Sequence, residues 1–166
     1  LREQVHREIE QELGFGMVPN VFRALDSSPR MLESNWGMFK SAVLEGNLPR
    51  TVKEMVGVVV SQVNGSEYAR QVHLHSLGMQ GVTEETLARL AAGNIRDSGL
   101  PASTIEVLEF AQSVARDPSG QGPSARVRLR ESGLSDSDVL EVVGAVQLFS
   151  AVNIFTDIMG VPVDGA

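Results

Sequence analysis

One carboxylate and three histidines, His6, His73 and His75, hold most of the chemistry this 166-residue chain can offer. His73 and His75 lie in the stretch Ser66-Glu67-Tyr68-Ala69-Arg70-Gln71-Val72-His73-Leu74-His75. Two apart on a helix, they point about 200° from each other and cannot hold one metal ion together. The four-residue histidine spacing typical of metal sites is absent, so no metal site is predicted. His6 sits in a charged segment and is expected to be solvated. Ser66, Ala69 and His73 share one helix face by three- and four-residue steps, and Tyr68, Val72, His75 and Met79 share another. The carboxylate is Glu54, which stands among valines in the preceding segment. Buried there, it needs a partner. Two antiparallel helices joined at Asn64-Gly65 bring Glu54 against His73. A carboxylate on one imidazole nitrogen fixes the tautomer and leaves the other nitrogen as a base. On spacing alone, a structural Glu–His contact or two solvated groups is the simpler reading.

The elements that must position these groups are all helical. Residues 2–12 read as a charged amphipathic helix closed by Gly14 and Gly16. Pro19 opens a short helix, and Pro29 a longer one to about Glu45, each proline suiting a helix start. Pro49 opens the helix that carries Glu54, with Val52, Met55, Val56, Val59, Val60 and Val63 at helical spacing on its buried face. Asn64-Gly65 breaks it, and the histidine helix runs from about Ser66 to Gln80, with Ser66 as its N-cap. Thr83 caps a short helix ending near Gly93. Another runs from Pro101 to about Ala115. The stretch from Asp117 to Ser124 is the clearest loop, followed by a short basic helix over 125–132. Ser135 caps a last helix to Gly160 that is apolar on nearly every side, a pattern of a central helix or one covered by a partner chain. No alternating strand pattern occurs. The fold class is all-α, a single domain over 1–166 with seven to nine helices.

The bulk composition narrows the function classes. A net charge of −7 and no basic stripe argue against nucleic-acid binding. The densest positive stretch, Arg126, Arg128 and Arg130, reads as the wet face of a helix. No apolar run is read as reaching the ~20 residues that span a bilayer. Leu1-Arg2-Glu3-Gln4 has no signal-peptide core and no initiator Met, so residues before Leu1 are expected, and a cytoplasmic location. There are no cysteines, which excludes disulfides and thiolate chemistry within these residues. No phosphate loop or dinucleotide fingerprint is present, and no cofactor is expected.

The order Glu54, Ser66, Tyr68, Ala69, His73 resembles the alkylhydroperoxidase D-like / carboxymuconolactone decarboxylase superfamily. That family has a glutamate, a Cys-x-x-Cys pair opening the next helix, and a histidine four residues after the second cysteine. Glu54 and His73 occupy the outer positions; Ser66 and Ala69 stand where the cysteines would be. Tyr68 matches the Cys-x-Tyr-Cys form of the peroxidase-related branch. Val18-Pro19-Asn20, Leu48-Pro49-Arg50, Gly133-Leu134-Ser135-Asp136 and the ending from Asn153 to Asp164 are similar to that branch too, so the match spans about residues 15–164.

The resemblance implies a helical core and a homo-oligomer: dimer, trimer or hexamer. In complete members the histidine, oriented by the glutamate, deprotonates a cysteine; the thiolate reduces a hydroperoxide, and the pair closes as a disulfide. Here the expectation is a relay, Glu54 and His73, without its thiols and without thiol-dependent peroxidase activity. Tyr68 and His75 are possible pocket residues. Two alternatives stand beside this. One is a non-redox acid/base enzyme of the decarboxylase type, whose anionic substrate would want a cation such as Arg50 or Arg70. The other is a non-catalytic oligomeric binding module for a small-molecule ligand. Neither nucleic acid nor membrane is an expected partner.

Overall fold

A computed structural model describes residues 1–165. Among them are nine α-helices and no strand. The helices are α1 (Arg2–Leu13), α2 (Asn20–Arg23), α3 (Pro29–Phe39), α4 (Arg50–Asn64), α5 (Glu67–Met79), α6 (Glu84–Ala91), α7 (Ala102–Arg116), α8 (Pro118–Glu131) and α9 (Asp136–Met159). A π-helical turn, Lys40–Leu44, continues α3. Sequence periodicity had no means of marking that change of register.

The centre of the molecule is α4. Every residue from Lys53 to Ser61 is buried. This differs from the one-sided valine face read from the spacing: Val58 is fully buried, whereas Val52 and Val63 are only partly so. Valine tolerates burial on any side, so α5, α7 and α9 close around the helix. Gly65 (φ 71°) ends α4 in the left-handed region, where glycine has no Cβ to clash. The chain then reverses, with the amide of Ser66 bonded to the Ser61 carbonyl at 2.9 Å. This tight reversal aligns α5 antiparallel to α4.

A second cluster, with Ile9, Leu32 and Trp36 at its heart, ties α1, α2 and α3 together. His6 belongs to its edge. It is partly buried, with Nε2 2.8 Å from Asp26 Oδ1, rather than solvated.

Three further expectations are corrected. Residues 117–124 are not a plain loop. Asp117 accepts from the Gly120 amide and starts a helical turn. Gly122 (φ 55°, ψ −167°) breaks it, and the helix resumes at Pro123. Gly and Pro here punctuate two helical pieces rather than exclude helix. Ser66 precedes α5 but makes no side-chain cap. Finally, α9 is long and apolar enough to cross a membrane by length and composition. Its inner side, including Val142, Ala145 and Phe149, belongs to the core. That packing is what a core helix does. The outer side, with Leu140, Ile154 and Ile158, is exposed.

Candidate functional site

The α4–α5 hairpin puts Glu54 and His73 together deep in the bundle. Glu54 is 2% and His73 6% exposed. Glu54 Oε2 lies 2.6 Å from His73 Nδ1. Its other oxygen accepts from Ser76 Oγ at 3.0 Å and from Arg50 Nε at 3.3 Å. Both carboxylate oxygens are thus partnered, as a buried charge requires. Arg50 also donates to the Leu13 carbonyl at 3.0 Å, tying α1 to the site.

The electrostatics follow from these contacts. Burial pushes the Glu54 carboxyl up, but His73, through its hydrogen bond and its charge, then Arg50 and Ser76, outweigh burial and hold it below the ordinary carboxylate value. Glu54 therefore stays ionised at neutral pH. In the neutral tautomer, an ionised Glu54 holds the imidazole proton on Nδ1 and leaves the lone pair on Nε2. Among the described residues no hydrogen-bond partner meets Nε2. The ring is held on two other sides. Phe149 of α9 meets it edge-on at 4.4 Å between centroids. Beneath it lies Gly57, where a Cβ would stand 2.7 Å from Nε2. Glycine inside a helix costs about 1 kcal/mol relative to alanine, and here it provides the space the imidazole occupies.

His73 opens onto a narrow apolar cavity of about 50 Å³. Phe22, Phe39, Ala69, Leu148 and Phe155 are among its walls, and Tyr68 and Asn35 bring the other polar groups. Ala69 presents only a methyl group to this cavity. Ser66 is buried and bonds Asp157 Oδ1 of α9 at 3.0 Å. That bond across the bundle replaces the expected cap. The Tyr68 hydroxyl donates to Asp164 Oδ2 at 2.9 Å and accepts from the Val21 amide at 3.1 Å. Burial first, then the Asp164 carboxylate, pushes the phenol's pKa up, so it stays a donor.

The remaining candidates fall elsewhere. His75 is on the opposite side of α5, in an outer groove beside Phe15, 6.2 Å between ring centroids. Arg70 is not a site cation: it pairs with Glu67 at 2.6 Å on the surface. Among the described residues no metal-binding group occurs. Ser76, Phe149, Gly57 and Asp164 were not singled out from the sequence. Ser76 had a detectable signal, since it lies three residues after His73 on one helix face. Phe149 had none, because only packing brings α9 over the imidazole.

The carboxymuconolactone decarboxylase family matches residues 29–113, which include Glu54 and His73. No curated protein matches the chain. Among solved structures, an uncharacterized peroxidase-related protein from Silicibacter sp. TM1040 is 23% identical, with a TM-score of 0.88 over 98% of this chain and 84% of its own. An uncharacterized peroxidase-related protein from Ralstonia eutropha JMP134, described as an alkylhydroperoxidase AhpD core, is 22% identical, with a TM-score of 0.87 over 99% of this chain and 85% of its own. The debrominase Bmp8, in complex with 2,3,4-tribromopyrrole, is 19% identical, with a TM-score of 0.82 over 98% of this chain and 85% of its own. These likenesses carry the fold: an all-helical bundle of the alkylhydroperoxidase D-like type. With the family match over half its length, the chain belongs to the carboxymuconolactone decarboxylase family.

Proposed function

We propose that this protein keeps the family's proton-handling pair and has lost its thiol chemistry. Glu54 orients His73, and His73 Nε2 serves as a base toward a small molecule in the apolar cavity. The observation that carries this reading is the buried 2.6 Å contact between His73 and an ionised Glu54, beside a cavity where Ala69 offers no nucleophile. Thiol-dependent peroxide reduction needs a thiolate to attack the peroxide and a second thiol to close the disulfide. Neither sulfur is present among these residues. Hydroperoxide consumption with a thiol reductant tests this. The protein is expected to be silent and the Ser66→Cys/Ala69→Cys double variant active. Turnover by the unaltered protein would overturn the proposal. Silence of both would mean that Glu54 and His73 are no longer poised for the family reaction.

The ligand class follows from the walls. The lactone-acid substrate of the decarboxylase reading wants a free cation, and the lining includes none. Arg50 is spent on Glu54 and Leu13. A small, uncharged, largely apolar molecule with one acidic proton suits the cavity better. The tribromopyrrole held by the debrominase of the same fold is of that kind. Thermal stabilisation by 2,3,4-tribromopyrrole that disappears in His73→Ala supports this class; no stabilisation by it counts against the class.

A homo-oligomer is part of the same proposal. Leu140, Ile154 and Ile158 form an exposed apolar stripe along α9, Ile158 at 81% exposure, and covering such a stripe favours association. Light scattering is expected to report an oligomer that Leu140→Glu/Ile154→Glu dissociates. The cytoplasmic setting expected from the sequence also belongs here, and cell fractionation tests it.

A further inference from the structure

A reactive side chain as deeply buried as His73, 6% exposed, needs a way in. The His73 cavity shares a wall residue with another hollow. Val72 lines both the inner cavity and an outer groove of about 410 Å³. A second boundary element lies next to it: Tyr68 lines the inner cavity, Asp164 lines the groove, and their side chains are bonded at 2.9 Å. Asp164 is held from its other oxygen by the Asn20 amide at 2.6 Å, and the Asn20 side chain donates to the Pro162 carbonyl at 3.1 Å. The segment after α9 is therefore strapped across the edge of the cavity by the start of α2 and by Tyr68.

We propose that the outer groove is the entrance to the His73 cavity for small planar aromatic molecules. Val72 sets the size that passes, and the Tyr68–Asp164 bond latches the opening. This rests on the reading of His73 as the reactive group. The groove walls suit such a guest. Phe15, Met17 and Met79 offer an aromatic ring and two thioethers, which contact aromatic faces and edges favourably. The Arg50 guanidinium sits 5.9 Å from the Phe15 ring centroid and steadies that wall. His75 and Gln71 at the rim supply hydrogen-bonding groups for a polar edge. The inner cavity is apolar and narrow, so a flat guest fits it and a bulky one does not. The latch is held by few bonds: Tyr68 to Asp164, the Asn20 amide to Asp164 and the Val21 amide to Tyr68.

Acylation by diethylpyrocarbonate, followed histidine by histidine with peptide mass spectrometry, tests this without an activity assay. His75, exposed in the groove, serves as the internal reference. His73 is expected to react slowly in the unaltered protein. Val72→Ala and Asp164→Asn should each raise its rate several-fold, Val72→Phe should lower it, and His75 should keep its rate. Indole, as a planar aromatic probe, should slow acylation of His73 in the unaltered protein. An unchanged His73 rate in Val72→Ala and Asp164→Asn would overturn the entrance. So would a parallel rise at His6 and His75, which marks general loosening. Absence of protection by indole would overturn the ligand class. Failure of the proposed function is a separate result: peroxide turnover by the unaltered protein leaves these rates untouched.

Discussion

Two buried polar pairs leave α4 from adjacent residues, and they are built for different ends. Lys53, 1% exposed, reaches Glu141 of α9 at 2.9 Å and also donates to the Glu45 carbonyl. Glu141 in turn accepts from the amides of Asn47 and Leu48 at 2.7 and 3.0 Å. Each charge in that pair is met by protein on several sides, and the result is a closed loop before α4. Glu54 is equally saturated, but its partner is not: His73 lines a cavity, and among the described residues its Nε2 has no hydrogen-bond partner. A buried ion pair with every polar atom satisfied is a fastening. A buried carboxylate–imidazole pair that leaves one ring nitrogen without a partner is a candidate for chemistry.

The largest effect should come from breaking the fastening. Glu141→Ala strands the Lys53 ammonium and is expected to cost about 3–5 kcal/mol, read from urea unfolding. Lys53→Met/Glu141→Leu should recover the part owed to the stranded charge but not the part owed to the Asn47 and Leu48 amides, which lose their acceptor. A cost below about 1 kcal/mol for Glu141→Ala would erase the distinction, since exposed pairs are worth that little.

Glu54→Gln comes next, with an expected loss of about 1–3 kcal/mol, as the charge and one of the two acceptor oxygens that serve His73, Arg50 and Ser76 are lost. It also has a pH signature. Glu54 and Glu141 both lie below the ordinary value of 4.5 when folded. Each therefore binds its proton more weakly folded than unfolded. The stability each contributes is full above about pH 4.5 and drains as pH falls toward the folded pKa. Urea midpoints measured from about pH 6 down to 3 should fall steeply for the unaltered protein, and less steeply for Glu54→Gln. Equal slopes would mean that Glu54 is not held down by His73.

Gly57→Ala should be smaller. Alanine gains about 1 kcal/mol of helix propensity, but its methyl collides with the His73 ring. Overpacking of this kind costs about 1–3 kcal/mol, so the net is a mild destabilisation. The imidazole NMR signals of His73 should shift while those of His6 do not. An unmoved His73 would show that the ring is not seated on Gly57. The smallest effect belongs to the surface pair: Arg70→Ala should change stability by no more than about 0.5 kcal/mol and leave the site untouched.

Much of the fold was legible because its signals are local. Pro29 and Pro49 sit beside helix starts, Gly65 and Gly160 follow helix ends, and Ser135 forms a capping box with Asp138. The pairing of Glu54 with His73 was legible as well, since a tight reversal at Gly65 leaves little choice of register. The errors have a shared cause. Ser66 read as a cap because the local pattern allows it, yet its hydroxyl goes to Asp157, 91 residues away. The Asp117 to Ser124 stretch read as loop because Gly and Pro can end a helix or begin one. His6 read as solvated because Asp26 is on another element.

By itself, then, the sequence determined the helical class and the antiparallel hairpin that sets Glu54 near His73. Each depends on dihedral preferences and hydrophobic period within about 20 residues, which neighbouring residues settle among themselves. Only the tertiary structure decided that Ser76 and Arg50 complete the carboxylate's shell, that Phe149 and Gly57 clamp the imidazole, and that His75 serves a different hollow. It alone decided that Tyr68 is latched to Asp164 across 96 residues of chain. Such contacts arise from the close packing of helices distant in sequence, and no local preference encodes which side chain will meet which.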